Sequence, residues 1–126
     1  MAVVGVGVDA IEIDRVARAL ERTPTLLDRL FSPAEQRHCG AVTGRRRAAR
    51  FAARFAAKEA VAKALGTGVV GFGFRDVEIV TAGNGAPSVV LGSAARVVAD
   101  RVGVTAVHVS LSVTRDTAVA TAVAES

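Results

Sequence analysis

The residues with the clearest chemical potential lie in one predicted helix, in the stretch RFAAKEAVAKALG. This stretch holds the only two lysines of the chain, Lys58 and Lys63, and places Glu59 directly beside the first. At about 100° per residue, Glu59 falls on the apolar side of the helix, where an unpaired carboxylate is costly. Either Lys63 neutralises Glu59 from one turn further on, or the carboxylate serves a ligand, and the spacing leaves both interpretations open.

Asp9 is a second carboxylate in an unusual place, because it follows an apolar run at residues 2–8 that predicts a buried strand. An aspartate at this point commonly caps the next helix, which occupies one carboxylate oxygen and leaves the other free. Mg²⁺ typically takes one or two carboxylates together with phosphate oxygens and waters. Asp9 and Glu59 therefore form a candidate magnesium site, and capping is the simpler alternative for Asp9.

Arginines recur along one side of two predicted helices at spacings of three and four residues. They are Arg15, Arg18 and Arg22 in the first helix, and Arg46, Arg50 and Arg54 in the longest. Arginine offers a planar fork of donors that suits phosphate, so the second row predicts a phosphate-binding edge, with a solvated helix face as the alternative. The first row suits docking to an acidic partner through complementary charge.

The composition agrees with an anionic partner. The chain has 126 residues, a net charge of +4 and 51% hydrophobic residues, many of them alanine and valine. We expect residues 1–126 to form one domain whose core of small side chains gains burial by oligomerisation. A basic nucleic-acid-binding module is a rival hypothesis, but the absence of Tyr and Trp removes the side chains that best stack on bases.

The sequence also indicates a cytosolic, soluble protein. The first apolar run has no basic segment before it and is soon followed by acidic residues, which is unlike a signal peptide. No run reaches the roughly 18 apolar residues of a membrane span. Cys39 is the single cysteine, which excludes an internal disulfide and fits a reducing compartment. We expect an unreactive thiol there.

Local signals place the first elements of the chain. The strand at residues 2–8 precedes a predicted helix at 10–22. Ser32 and Glu35, with a proline between them, have the pattern of an N-cap and capping box at a helix start. Residues 45–65 contain no helix breaker and predict the longest helix.

Strand signals dominate the second half. Residues 76–81 and 88–91 flank a glycine-rich turn and predict a hairpin, and Ser93 is expected to cap a further helix. Residues 107–113 and 119–124 predict two paired strands. The chain is therefore expected to be a compact α+β domain, with an antiparallel sheet packed around one long helix.

Two glycine patterns are similar to nucleotide-binding fingerprints, at residues 5–10 and 66–71. The second follows a helix, and the first lacks the parallel strand that would carry a ribose-binding acid. Close backbone packing by Gly5 and Gly7 is the preferred interpretation, and the glycines at 66 and 68 are expected to end the long helix.

Five stretches together resemble the bacterial holo-(acyl-carrier-protein) synthases of the 4′-phosphopantetheinyl transferase superfamily. They are GVGVDAIEIDR, FSPAEQ, RFAAKEAVAKALGTG, NGAP and HVSLSVTRDTAVA, and they extend over nearly the whole chain, from about residue 5 to 124. The resemblance implies that the enzyme transfers the phosphopantetheine arm of coenzyme A to a serine of an acyl carrier protein and releases adenosine 3′,5′-bisphosphate.

The resemblance also implies roles for the reacting residues. Asp9 and Glu59 match the Mg²⁺ ligands of the family, and Lys63 matches the lysine near the coenzyme A pyrophosphate. In the hypothesis that follows, Glu59 or a water at the metal accepts the proton of the carrier serine, and Lys63 stabilises the departing nucleotide phosphate. The family gives no clear role for Lys58, which is expected to hold the helix edge.

Coenzyme A contacts follow from the same resemblance. Arg46 and Arg54 match arginines near the nucleotide phosphates. Gly66, just after the helix that carries Lys63, is a further expected cofactor-binding position. Pro87 matches the residue that lines the adenine end, with Thr114 close to it.

The remaining implications concern partners. The helix of Arg15, with Arg18 and Arg22, matches the surface that receives the acidic carrier protein, and family members are commonly homotrimers with sites between subunits. One position departs from the family, since Val113 stands where a histidine is usual. His108 or an arginine could replace that contact, or the chain is a weakened member that mainly docks carrier proteins; an active enzyme is the preferred hypothesis.

Overall fold

The computed structural model describes residues 1–66, 68 and 70–126. The helices are α1 (Ile13–Arg22), α2 (Leu26–Leu30), α3 (Pro33–Gly40), α4 (Gly44–Ala64) and α5 (Ser93–Arg101). The strands are β1 (Val3–Glu12), β2 (Val77–Thr81), β3 (Pro87–Leu91), β4 (Ala106–Val113) and β5 (Thr117–Glu125). The predicted α+β class is confirmed. Thr67, expected in the segment that ends the long helix, lies outside the described residues.

All strand pairings among the described residues are antiparallel. β1, β5 and β4 form a three-stranded sheet in the order β1-β5-β4, and β2 pairs with β3 as the predicted hairpin. The helix α4 packs on one face of the larger sheet, as expected for the longest element. None of the helices in the described part of the chain is long and apolar enough to span a membrane.

Small residues let α4 lie unusually close to the sheet. A Cβ atom added at Gly5 would lie 1.9 Å from the backbone oxygen of Ala64, and one added at Gly7 would lie 1.9 Å from that of Ala60. No side chain fits at either glycine unless the helix moves away from the strand. The predicted close packing by these glycines is therefore confirmed.

The same contact brings distant acids together. Side chains alternate along a strand, so Asp9 points to the same face of β1 as Gly7, towards α4. On α4, Glu59 and Lys63 directly precede Ala60 and Ala64, the two residues that contact the glycines. The backbone contact thus fixes Asp9 beside the cationic and anionic side chains of the helix.

The start of β1 was predicted well, but its burial and its end were not. The strand is not buried as expected, because Val4, Val6 and Val8 are exposed on the face away from α4. β1 continues through Asp9 to Glu12, because β5 pairs with it as far as the partners Glu12 and Thr117. Ladder hydrogen bonds therefore replace the helix expected from residue 10, and α1 begins only at Ile13. The interpretation of Asp9 as a helix cap is wrong, since Asp9 pairs with Ala120 inside the sheet.

Two further helix details differ from the prediction. Ser93 is the first residue of α5 and not its cap; the carboxylate of Asp76 accepts the hydrogen bond of the Ala95 backbone N–H instead. The short helix α2 was not predicted, because five residues are too few to show a helical period.

The capping box at α3 is confirmed and belongs to a larger buried network. Ser32 Oγ accepts a hydrogen bond from the Glu35 N–H at 3.2 Å, and Glu35 Oε1 accepts one from the Ser32 N–H at 2.8 Å. Glu35 Oε2 accepts a further bond from the Ile79 N–H of β2 at 2.9 Å. One carboxylate thereby joins the start of α3 to the hairpin.

Lys58 is the partner of that carboxylate. Its Nζ lies 2.8 Å from Glu35 Oε1 and donates to the carbonyl oxygens of Val77 at 2.6 Å and Phe74 at 2.9 Å. Both charged side chains are 0% exposed, and burial lowers the pKa of Lys58 against the opposing effect of Glu35. The expectation that Lys58 lies at a helix edge is wrong, because the lysine is enclosed where α3, α4 and β2 meet.

We predict that Lys58→Met lowers the free energy of unfolding by about 3–5 kcal/mol, because it leaves the Glu35 carboxylate buried without its counter-charge. Urea denaturation followed by circular dichroism measures this change. The matched control is Lys63→Met, whose exposed lysine should contribute less than about 1 kcal/mol. Equal losses in both variants, or a Lys58→Met/Glu35→Gln double variant no more stable than Lys58→Met, would contradict the coupling.

Candidate active site

The candidate reacting residues meet in one cavity. This cavity of about 560 Å³ lies between β1, α1 and α4, and its charged lining consists of Asp9, Arg15, Glu59 and Lys63. The rest of the lining is mainly apolar and includes Phe55 and other aromatic and aliphatic side chains. The structure therefore brings together the acid pair and the lysine that the sequence singled out.

Lys63 pairs with Asp9 in this cavity. Its Nζ lies 3.3 Å from Asp9 Oδ1 and donates a hydrogen bond to the Val8 carbonyl oxygen at 2.9 Å. The Asp9 side chain is 20% exposed and that of Lys63 is 51% exposed. The lysine therefore neutralises the acid of β1 while its outer half stays open to solvent and to a ligand. The alternative of an ion pair between Glu59 and Lys63 is wrong for the described structure.

Glu59 is left with an incompletely compensated charge. Burial raises the pKa of Glu59 most, the neighbouring Asp9 carboxylate raises it further, and Lys63 lowers it. Two carboxylates that repel each other at the end of a cavity favour a cation between them. This is the electrostatic pattern expected of a metal site before the metal binds.

The donor set fits Mg²⁺. Among the described residues no group of three or more His, Cys, Asp or Glu side chains could enclose a metal ion. Two carboxylates, Asp9 and Glu59, supply hard oxygen ligands and leave the remaining positions to phosphate oxygens and water, which is how Mg²⁺ is usually held. A site with two carboxylates suits a metal ion that also binds a phosphate-bearing substrate better than it suits a structural metal ion.

A second cavity of about 370 Å³ contains three of the predicted coenzyme A residues. Arg46, Arg54 and Pro87 line it together with Val113, the position where the family usually has histidine. His108 does not line it; its Nε2 lies 2.6 Å from Glu125 Oε1 on another surface. Of the two kinds of residue expected to offset Val113, the arginines line this cavity and His108 does not.

Arg54 is the most enclosed cation of this second cavity. It is 5% exposed, and its guanidinium donates to Thr81 Oγ1 at 2.6 Å and to the Arg50 carbonyl oxygen at 3.3 Å. Its Nε is buried and has no hydrogen-bond partner among the described residues. Three arginines and no carboxylate line the cavity among the described residues, so its charge suits an anionic ligand.

Arg50 and His38 also line the second cavity, and Arg50 Nη1 donates a hydrogen bond to the His38 carbonyl oxygen at 2.6 Å. Arg50 belongs to the arginine row that predicted a phosphate-binding edge, whereas His38 was not a predicted site residue. No local pattern marked His38, because it reaches the cavity only through the packing of α3 on α4.

Other predicted site residues lie outside both cavities. Arg18 and Arg22 are exposed on α1, and Gly66 is exposed just after α4, where its N–H donates to the Lys63 carbonyl oxygen. Thr114 Oγ1 accepts a hydrogen bond from the Thr117 N–H and so closes the β4–β5 turn.

The thiol of the chain takes no part in either cavity. Cys39 is 0% exposed, and burial raises the pKa of its thiol to about 11. A thiol with a raised pKa is a poor nucleophile at neutral pH, so both features agree with the prediction of an unreactive cysteine.

Comparison with known proteins decides the family. A model of the 4′-phosphopantetheinyl transferase superfamily matches residues 5–122. The chain belongs to this superfamily. It is 54% identical over 126 aligned residues to the holo-[acyl-carrier-protein] synthase of Desulforudis audaxviator, and the match covers 97% of this chain and 92% of that protein.

Solved structures agree with the sequence match. The holo-[acyl-carrier-protein] synthase of Neisseria meningitidis superposes with a TM-score of 0.89 at 31% identity, over 99% of this chain and 100% of that one. The Bacillus anthracis enzyme, in complex with CoA (3′,5′-ADP), superposes with a TM-score of 0.83 at 32% identity, over 98% and 97%. The predicted fold and the predicted enzyme class are confirmed, while the roles of individual residues stay predictions.

We predict that Glu59→Gln raises the free energy of unfolding of the metal-free chain at neutral pH. The raised pKa of Glu59 means that folding disfavours the charged carboxylate, so the favourable contribution of Glu59 exists below its ordinary titration range and is lost as the pH rises through the folded-state pKa. Urea unfolding at neutral pH and below about pH 4 tests this, because the two chains should converge in acid.

The same variant tests the metal site without measuring activity. Mg²⁺ that binds only the folded wild type raises its melting temperature as concentration increases, and Glu59→Gln should largely remove this effect. Glu21→Gln, an exposed change on α1, is the matched control and should respond as wild type does. Equal stabilisation of all three chains by Mg²⁺ would exclude Glu59 as a ligand.

Proposed function

We propose that this chain transfers 4′-phosphopantetheine from coenzyme A to a serine of an apo acyl carrier protein, with Mg²⁺, and releases adenosine 3′,5′-bisphosphate. The observation that carries the proposal is the meeting of Asp9, Glu59 and Lys63 at the charged end of one cavity, in a chain that belongs to the phosphopantetheinyl transferase superfamily. The cytoplasmic location predicted from the sequence stays a prediction.

In this proposal Asp9 and Glu59 hold the Mg²⁺, and the bound ion neutralises the charge of the coenzyme A pyrophosphate. Lys63 has a second, protein-based role, because its half-exposed ammonium lies between Asp9 and the open cavity. There it binds the pyrophosphate by charge-assisted hydrogen bonds and stabilises the negative charge of the departing nucleotide phosphate.

Glu59 is the proposed proton acceptor of the chain. Glu59 lines the cavity beside Asp9 and Lys63, and a carboxylate placed there is a suitable general base for a hydroxyl proton. The carrier serine loses its hydroxyl proton to Glu59, and its oxygen forms a new bond to the β-phosphorus of coenzyme A. The bond from that phosphorus to the bridging oxygen breaks, and the electron pair leaves with adenosine 3′,5′-bisphosphate.

The carrier protein is proposed to dock on α1. Arg15 lines the rim of the first cavity, and Arg18 and Arg22 are exposed on the same helix. A row of exposed arginines beside the reacting residues favours an acidic partner and its rapid association. The net charge of the chain, +4, is also positive and therefore favours the same acidic partner.

The second cavity is the proposed site of the nucleotide end of coenzyme A. Its three arginines supply donors for phosphate. The two cavities share no lining residue, so one coenzyme A molecule is proposed to extend from the first cavity of one chain to the second cavity of a neighbour. A homotrimer with sites between subunits, as predicted, satisfies this arrangement.

The outer face of the larger sheet supports such an assembly. On β1, Val4, Val6 and Val8 point away from α4 and are 45%, 65% and 56% exposed. Apolar side chains that recur on one sheet face form the kind of patch that oligomers cover. The proposed trimer buries this face.

We predict that Val6→Glu yields a folded monomer without transferase activity, because a charge in an apolar interface is costly while the same residue on the isolated chain faces solvent. Analytical ultracentrifugation and circular dichroism give the mass and the fold. Val97→Glu, on the exposed face of α5 where Val97 is 49% exposed, is the control and should assemble normally. A monomeric, active wild type would contradict the shared site.

The transferase proposal is tested by mass spectrometry of apo carrier protein incubated with coenzyme A and Mg²⁺. Wild type should add the phosphopantetheine mass, and Glu59→Gln should lower the rate by at least about 10²-fold, since it removes both a ligand and the base. Asp100→Asn, at an exposed carboxylate of α5, should keep the wild-type rate.

Three results, from this assay and from binding measurements with the carrier protein, coenzyme A and DNA, would oppose the proposal in different ways. Undiminished transfer by Glu59→Gln removes Glu59 from the mechanism. Carrier-protein binding without mass gain by the wild type supports a weakened docking protein. Salt-sensitive DNA binding without coenzyme A binding supports the nucleic-acid module.

A further inference from the structure

His38 lies at the C-terminal end of α3 and lines the second cavity. Its backbone is fixed there by Arg50, whose Nη1 donates to the His38 carbonyl oxygen at 2.6 Å. Within the part of the chain that the structure describes, neither nitrogen of its imidazole ring has a hydrogen-bond partner. The ring therefore keeps its full hydrogen-bonding capacity for a group that enters the cavity.

The groups around His38 are cationic or uncharged. From α4, Arg46, Arg50 and Arg54 line the same cavity. The other lining comes from uncharged residues of α4, the β2–β3 hairpin and β4, namely Ala49, Ala53, Thr81, Gly85, Pro87, Leu111 and Val113. On α3 itself, the Glu35 carboxylate is bound by Lys58 and Ile79, and the Cys39 thiol is buried. No carboxylate lines the cavity within the described residues.

This environment keeps the free imidazole neutral near neutral pH. Burial lowers the pKa of His38 most, and the positive charges of Arg54 and Arg50 lower it further. A phosphate bound among the arginines would oppose their effect and raise the pKa of His38, because its negative charge favours the imidazolium. Binding of a phosphate and uptake of a proton by His38 are then coupled.

We propose that His38 recognises the terminal phosphate monoester of coenzyme A in this cavity and becomes protonated when that phosphate binds. The inference rests on the proposed function, which places the nucleotide end of coenzyme A here. The monoester is the suitable group because it carries close to two negative charges at neutral pH, whereas each phosphate of the pyrophosphate carries one. The arginines that line the same cavity, Arg46, Arg50 and Arg54, supply further donors for the same anion.

The sign of the pH dependence follows from the direction of the shift. The pKa of His38 is lowered in the free chain and raised by the bound phosphate, so the complex binds more protons than its components. The pKa of His38 is therefore higher in the complex than in the free chain. Affinity for coenzyme A increases as the pH falls from the higher pKa to the lower one. Above the higher pKa and below the lower one, the contribution of His38 to the affinity no longer changes with pH.

Isothermal titration calorimetry of the full chain with coenzyme A and with dephospho-coenzyme A, from about pH 5.5 to 8.5, tests the coupling. His38→Asn should weaken coenzyme A binding by about tenfold at the acid end, the usual worth of one charge-assisted hydrogen bond, and little at the alkaline end. The phosphate monoester of coenzyme A also titrates in this pH range and changes the affinity of both chains alike. The effect of His38 is therefore the difference in affinity between wild type and His38→Asn at each pH. Dephospho-coenzyme A should show no such difference.

Two further variants make the test specific. His108→Asn removes the other histidine of the chain, which is 63% exposed and paired with Glu125, and should reproduce the wild-type profile. His38→Lys places a permanent charge at the position and should bind coenzyme A more tightly than His38→Asn at the alkaline end. Circular dichroism establishes that each variant is folded.

Failure of the inference and failure of the proposed function have different signatures. If His38→Asn binds coenzyme A with the wild-type profile, His38 does not recognise the phosphate, and the transferase proposal is unaffected. If His38→Asn weakens both ligands equally at every pH, its effect is structural and the inference is overturned. If the wild type binds neither ligand, the proposed function fails, and the inference fails with it.

Discussion

The close contact between α4 and β1 is the constraint on which the candidate site depends. Gly5 and Gly7 place their backbone directly against the backbone oxygens of Ala64 and Ala60, so the register of helix against strand is fixed by steric exclusion. Asp9 follows Gly7 by one pleat and therefore reaches the helix beside Lys63. The acid pair is positioned by rigid backbone, which is what a precise ligand site requires.

Lys58 and Glu59 are adjacent on α4 but point to different surroundings. Lys58 points into the protein and pairs with Glu35, whereas Glu59 faces the cavity with a raised pKa. The buried pair is fully hydrogen-bonded, so its desolvation cost is offset by carbonyl and amide partners. It also holds β2, whose Thr81 accepts from Arg54 in the second cavity. One internal ion pair thereby orients parts of both cavities.

Local signals predicted much of the fold and of the first cavity. The long helix, the capping box and both hairpins follow from patterns within a few residues, and Glu59 was identified because its charge conflicts with its apolar face. The extension of β1 through Asp9 was not predictable, since it depends on pairing with β5, more than 100 residues away. The burial of Lys58 and the position of His38 were not predictable for the same reason: their surroundings come from segments distant in sequence.

The small-residue core explains why this chain is proposed to work as an assembly. Alanines at 118, 120, 122 and 124 on β5 are buried against α4, which permits the close helix contact but buries little apolar area per residue. The outer sheet face keeps its exposed valines, and the arginines of the second cavity stay separate from the acid pair. Covering those valines with a neighbouring chain would add the missing burial and, in the proposed function, bring the two halves of the coenzyme A site together.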